Sequence, residues 1–206
     1  MSNNLNYKII LLGDQNVGKT AMINRYLTNS FSFYGIQTTG VNVENKELII
    51  DNNKITFKIW DTAGQDRYRN LTAMNIKEAN IILLICDITN IESFNSLEYW
   101  YNQTKEYIDI NEVLYAVIGN KNDLFESQIV LDENIEAFAE KRNGYFYLSS
   151  SIDENSVHNL FKDITEKFYY KFIKPKLKNQ INIENKRKMS IQISNHDKRK
   201  KKCCNK

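Results

Sequence analysis

Three cysteines, two histidines and a single proline are spread over 206 residues, and most of these scarcities remove a class of protein. Three thiols do not make a disulfide framework. Two of them are neighbours, Cys203 and Cys204, and adjacent Cα atoms ~3.8 Å apart are closer than a disulfide usually spans. A reducing, cytosolic setting is the simplest expectation. His196 lies in a basic C-terminal stretch and His158 on a predicted late helix, where a surface position is expected, so the body has no histidine pair for a zinc site. No apolar run approaches the ~18–20 residues of a membrane span. The opening MSNNLNYKII sets no basic segment before an apolar one, and its second residue is Ser2, so neither a signal peptide nor N-myristoylation is expected. There are no internal repeats.

What is present is unevenly placed. Apolar residues make up 42% of the chain, enough for one well-buried domain and a little more. The net charge of +3 hides a division: residues 171–206 hold 13 Lys/Arg against 2 Asp/Glu, net +11, while residues 1–170 hold 15 against 23, net −8. An acidic body thus carries a basic tail, suited to nucleic acid, a membrane or an acidic partner.

Apolar patterning divides the body into alternating elements. Lys8–Leu12, Asn80–Ile88 and Val113–Gly119 are short, nearly continuous apolar runs, as expected of central strands covered on both faces. VNVENKELII and KITFKIW alternate in part around DNN, which reads as a hairpin turn. A last strand is expected at Tyr145–Ser149. Helical spacing follows the first strand and recurs at Ile91–Tyr107, Asp132–Arg142 and Asn155–Phe172. The fold class is therefore α/β: a mostly parallel six-stranded sheet with one antiparallel edge strand and helices on both faces. Lys174-Pro175 is expected to end the last helix, because proline disfavours a helical residue before it. The expected division is a domain over 1–173 and a flexible basic tail over 174–206.

Three motifs fall at loops that follow strands. GDQNVGKT, Gly13 to Thr20, fits G-x-x-x-x-G-K-[ST] between a strand and a helix, the context that gives this pattern meaning. Backbone N–H groups of Gln15, Asn16, Val17, Gly18 and the helix start through Ala21 are placed to surround phosphate oxygens, Lys19 adds a point charge, and Thr20 offers a hydroxyl to Mg²⁺. WDTAGQ puts Asp61 at the end of a hairpin strand, where a carboxylate holds Mg²⁺ through water opposite Thr20. Gly64 there lets the backbone approach a terminal phosphate. GNKND follows a buried strand at the carboxyl edge, where open α/β sheets bind ligands. An ionised Asp123 only accepts hydrogen bonds, and guanine offers it two N–H donors side by side. Adenine would leave that carboxylate unpaired at a cost of roughly 3–5 kcal/mol. Asn120 and Lys121 brace the loop and cover the base.

With these residues in this order, residues 7–173 resemble a small GTPase of the Ras superfamily. The resemblance implies a P-loop NTPase-type fold that binds GTP or GDP with Mg²⁺. Family spacing selects Thr38, rather than Thr39, as the second hydroxyl ligand of Mg²⁺ beside Thr20 and Asp61. It also sets Phe31 on the guanine, makes Gln65 the residue that orients the attacking water, and gives the last guanine loop as Ser150, Ser151 and Ile152. Likeness is greatest to the Rab family: TTGV resembles T-I-G-V, IWDTAGQDRYR resembles W-D-T-A-G-Q-E-R-F, and CDITNIESF resembles Y-D-I-T-x-x-x-S-F. Departures are visible. Val43 stands where the family has an aromatic on its effector surface, Asn75–Ala79 replace Y-Y-R-G-A, Gly35 replaces an aromatic beside Tyr34, and Ile152 replaces the lysine of S-A-K. Trp60 suits either an effector face or the core, and Cys86 suits the core.

The resemblance also implies a function and partners. The function is a Rab-type switch that binds and hydrolyses GTP in vesicle and membrane traffic. The partners are an exchange factor, a GTPase-activating protein, effectors, a prenylation escort and a GDP-dissociation inhibitor, with the chain itself a monomer that cycles between cytoplasm and the cytosolic face of an intracellular membrane. No arginine finger is visible in cis, so turnover is expected to be slow, roughly 10⁻⁴–10⁻³ s⁻¹ as for Ras without its activator. The ending CCNK resembles a Rab terminus prenylated on Cys203 and Cys204. Two prenyl chains beside the basic run Lys198–Lys202 would exceed the two signals that stable anchoring takes. Other readings are a nucleotide-bound scaffold that does not hydrolyse, a GTPase outside membrane traffic, a P-loop kinase or ATPase, and a nucleic-acid-binding tail. The last is disfavoured because the tail lacks interleaved aromatics, so no nucleic-acid partner is expected.

Overall fold

A computed structural model describes residues 5–32, 38, 40–64, 74–109 and 111–179. The strands are β1 Leu5–Leu12, β2 Val41–Ile50, β3 Asn53–Thr62, β4 Ile81–Asp87, β5 Leu114–Asn120 and β6 Tyr145–Leu148. They form one six-stranded sheet in the order β2-β3-β1-β4-β5-β6, with β2 antiparallel to β3 and every other pairing parallel. The helices are α1 Lys19–Thr28, α2 Ile91–Asn95, α3 Leu97–Lys105, α4 Asp132–Glu140 and α5 Glu154–Phe168.

Burial follows the apolar runs. Every residue of β4 and β5 is buried, as strands covered on both faces require. Alternation then divides the two layers. Ile10, Leu12, Ile82, Leu84, Tyr115 and Val117 share a cluster with Leu97, Trp100 and Tyr101 of α3 and with Ile135 and Ala139 of α4. On α3 the buried residues Leu97, Trp100, Tyr101 and Thr104 fall at helical spacing and form one face. On the other layer, Tyr26 of α1 stacks on Phe161 of α5 with ring centroids 4.1 Å apart and planes within 9°. The β2–β3 hairpin closes through Asp51 and Asn52, both left-handed at φ 49° and 60°, the backbone that a tight two-residue hairpin turn asks for.

Two expectations are corrected. The helix expected over Ile91–Tyr107 is two helices separated at Ser96. Asn90 starts α2 by accepting the N–H groups of Glu92 and Ser93 on its side-chain oxygen, so a cap-favouring residue fixes that start. His158 keeps a half-exposed surface position, as expected, with its ring 5.4 Å from that of Tyr26. The last helix does not stop before Pro175. Among the described residues, those up to Glu166 form one compact unit and those from Lys167 another. Within the second, a π-helical stretch Tyr169–Ile173 passes into further helix over 174–179. The Lys174 N–H reaches back five residues to the Tyr169 carbonyl. That wider turn lets the chain shift out of α register just before the proline, where an α-helical ring would meet the carbonyl four residues back.

Candidate functional site

Parallel pairing brings the ends of β1, β3, β4, β5 and β6 to one edge of the sheet, and the loops leaving that edge build the site. The loop after β1 lies where the chain runs to β3 on one side and β4 on the other, the switch point at which open α/β sheets take ligands. Asn16 at φ 62° and Gly18 at φ 99° carry it through left-handed backbone. Gly18 is obligatory on two grounds, since a Cβ would strike the Asn120 side chain and the backbone there suits glycine. It leads into α1, which has no acidic residue in its first turn. The unpaired N–H groups of that turn therefore keep their positive end for an anion.

Lys19 is buried inside this loop, its Nζ donating to the carbonyls of Gly13 and Asp14 at 2.7 Å each. Burial pushes its pKa down to about 8, against the opposing pull of Asp61 and Asp14. Thr20 donates from Oγ1 to Asp61 Oδ2 at 2.7 Å and lies 2.7 Å from Thr38 Oγ1. The single proton of Thr20 is thus spent on Asp61, and Thr38 is the donor in the second contact. Burial raises the Asp61 carboxyl, with the Thr20 bond and the Lys19 charge acting the other way. Asp61 Oδ1 is buried with no hydrogen-bond partner among the described residues. Two hydroxyls and an unsatisfied carboxylate oxygen are hard donors in one place, which fits Mg²⁺. No group of three His, Cys, Asp or Glu side chains that could hold a metal occurs among the described residues.

At the other end, Asn120 closes β5 fully buried and donates from Nδ2 to the Val17 carbonyl at 2.7 Å and to Ser151 Oγ at 3.3 Å. One side chain thus ties together the loops after β1, β5 and β6. Lys121, left-handed at φ 65°, pairs with Asp87 Oδ2 at 2.5 Å. Asp123 accepts from Ser150 Oγ, which itself accepts from the Ile152 N–H at 3.2 Å. Arg25 of α1 donates from Nε to the Ser151 carbonyl at 3.0 Å, and its guanidinium lies 5.7 Å from the Phe31 ring centroid.

A cleft of about 460 Å³ runs between these ends, a size suited to a small-molecule ligand. Of the residues singled out from sequence, Gln15, Asn16, Gly18, Lys19, Thr20, Ala21, Phe31, Thr38, Gly64, Asn120, Lys121, Asp123, Ser151 and Ile152 line it. Val17 is buried beneath it and supplies the carbonyl that Asn120 binds. Ser150 supports Asp123 from behind, and Asp61 lies next to the lining residue Thr62. Gln65, Tyr34, Gly35, Thr39, Cys203 and Cys204 lie outside the described residues. Ser32, Thr62 and Leu124 also line the cleft and were missed, although Thr62 lies inside WDTAGQ and Leu124 follows GNKND. Arg25 was missed as well, and its spacing along α1 gave no hint of a bond to Ser151.

The fold and the cleft together define the class: a P-loop nucleotide-binding protein, with the oxygens of Thr20, Thr38 and Asp61 gathered at one end of the cleft and the Asp123 carboxylate at the other. The sequence profile of the Ras family matches residues 8–170. Among curated relatives, Ras-related protein RABA1f of Arabidopsis thaliana is 34% identical over 79% of this chain and 75% of its own length. GTP-binding protein ypt3 of Schizosaccharomyces pombe is 34% identical over 79% and 76%. Ras-related protein Rab11E of Lotus japonicus is 36% identical over 79% and 74%. The chain belongs to the Ras family, as a Rab-type GTPase.

Proposed function

We propose that this Rab-type GTPase serves membrane traffic as a switch set by guanine nucleotide. The observation that carries the base assignment is the placement of Asp123, held by Ser150 at one end of a cleft whose other end is the loop around Lys19. Only a purine with adjacent N–H donors satisfies that carboxylate. Lys19 and the N-terminal turn of α1 bind the phosphates. Thr20, Thr38 and Asp61, whose oxygens gather at one point of the cleft, would hold Mg²⁺, which when bound would supply positive charge to offset that of the phosphates. Thr38 and Gly64 engage only the longer nucleotide, so its terminal phosphate orders their segments and hydrolysis releases them. Gln65 orients the attacking water, and an activating protein supplies what the chain lacks for fast turnover.

Prenylation of Cys203 and Cys204 with the adjoining basic run anchors the chain to the cytosolic face of an intracellular membrane. No helix of the described residues is long and apolar enough to cross one. Partners follow from the same reading: an exchange factor, effectors, a prenylation escort and a GDP-dissociation inhibitor. The G domain extends over 1–173 and the basic tail over 174–206.

The deciding experiment is Asp123→Asn. An amide presents both donor and acceptor, so preference should move from guanosine to xanthosine diphosphate by tenfold or more, read by competition against a fluorescent nucleotide. An unchanged preference would remove Asp123 from base reading.

A further inference from the structure

Trp100 lies in the core beneath α3, 1% exposed, yet its indole N–H is directed at the site: Nε1 donates to Asp14 Oδ1 at 2.9 Å. Asp14 is the second residue of the phosphate loop and meets two further groups through its backbone. Its carbonyl accepts from Lys19 Nζ at 2.7 Å. Its backbone also walls Gly64, where a Cβ would come within 2.5 Å of the Asp14 carbonyl oxygen. One residue thus presents its side chain to the core, its carbonyl to the phosphate-binding lysine and its main chain to the start of the segment that carries Gln65.

We propose that Trp100 is a positioning residue for the phosphate loop. By holding Asp14 it fixes the carbonyl that orients Lys19 and the surface against which Gly64 closes, and so sets how long a guanine nucleotide is retained. An aspartate at the start of a loop has other rotamers available, each favoured by water or a nearby N–H. A charge-assisted bond from a buried ring selects one of them, and the ring cannot follow the carboxylate because it is 1% exposed within the core cluster that also holds Ile10, Leu12 and Leu84. The same contact runs in reverse. Movement of Gly64 towards or away from the loop reaches Asp14 and then α3, which makes Trp100 a reporter of the bound nucleotide. The proposal rests on the cleft being the guanine nucleotide site.

The test uses the full chain loaded with mant-GDP in Mg²⁺, with release followed after excess GDP is added. Trp100→Phe keeps the ring and removes the donor, and should speed release about tenfold, as loss of one charge-assisted bond predicts. Asp14→Ala, which also takes a negative charge from beside Lys19, should be at least as fast, and the double variant should be no faster than Asp14→Ala, because the Trp100 bond is already gone there. Asp14→Asn keeps an oxygen acceptor but not the charge, and should release several-fold more slowly than Asp14→Ala, a partial rescue that loss of loop packing alone would not give. The chain holds two tryptophans, so a Trp60→Phe background isolates the emission of Trp100. That emission should shift in Asp14→Ala and not in Asp14→Asn, which decides the matter even if Trp100→Phe does not fold. Wild-type release from a folded Trp100→Phe, or equal emission in the two Asp14 variants, overturns the proposal. Failure of the wild-type chain to hold mant-GDP would overturn the nucleotide reading beneath it, and is seen before any variant is made.

Discussion

Asp61 enters the interior at the end of β3, and its two carboxylate oxygens meet different surroundings. Oδ2 takes the Thr20 hydroxyl, while Oδ1 is buried without a hydrogen-bond partner among the described residues. Such an oxygen is costly unless a cation satisfies it. Asp61→Asn should therefore raise the Mg²⁺ concentration needed to retain GDP by about 10–100-fold, the range for groups that act on a metal through an intervening ligand, measured as mant-GDP release against Mg²⁺. Gln65→Leu should lower single-turnover hydrolysis and leave GTP binding intact. Cys86 shows a different use of burial. It is fully buried and its thiol is pushed up to about 12, by desolvation first and the Asp87 charge second. Iodoacetamide at pH 8 should leave it unlabelled in the native chain and label it in guanidinium, read by mass spectrometry of the peptide. The sign follows for stability: an unfolded thiol ionises near 9 and this one near 12, so its contribution is full below pH 9 and is lost as pH rises towards 12. Motif residues were legible in the sequence because their spacing is local. Arg25 and Ser151 are 126 positions apart and Trp100 and Asp14 are 86 apart, and no local pattern announces a bond between residues so far separated.

At the scale of elements, periodicity was a reliable guide wherever burial was complete. β4 and β5 carry unbroken apolar runs and lie where those runs indicate. The breaks were harder to read. Ser96 interrupts a stretch that keeps helical spacing on both sides, because Asn90 caps a short helix whose end the apolar pattern does not mark. Proline at 175 signals an end on local grounds, yet the wider π turn before it removes the clash that would enforce one. The pairing of α1 with α5 rests on the stack of Tyr26 on Phe161, a fully buried ring. Phe161→Ala should cost about 3–5 kcal/mol, the usual range for a deleted core phenylalanine. Asn90→Ala should cost about 1 kcal/mol, as a lost helix cap does. Urea titration at constant nucleotide would measure both, and near-equal costs would contradict the burial difference between them.

For the whole molecule, charge and topology set separate limits. The body is acidic and the last 36 residues carry a net charge of +11, a separation of sign that composition alone reveals. A prenylated full-length chain should bind vesicles containing phosphatidylserine and stay bound at 0.5 M salt. The unprenylated chain, or Cys203→Ser with Cys204→Ser, should bind weakly and come off, because screening removes attraction between exposed charges beyond a few ångströms. Salt-resistant binding without lipid would sink the two-signal account of the tail. Parallel pairing gathers the described chemistry at one edge of the sheet, and Asp51–Asn52, at the tip of the β2–β3 hairpin, lie at the opposite edge. That distribution offers the experimenter a handle. A small epitope or a dye grafted at the hairpin tip would sit a full strand length from the cleft, about 30 Å along the ten residues of β3. A chain labelled there could be followed in a living cell with its nucleotide cycle undisturbed.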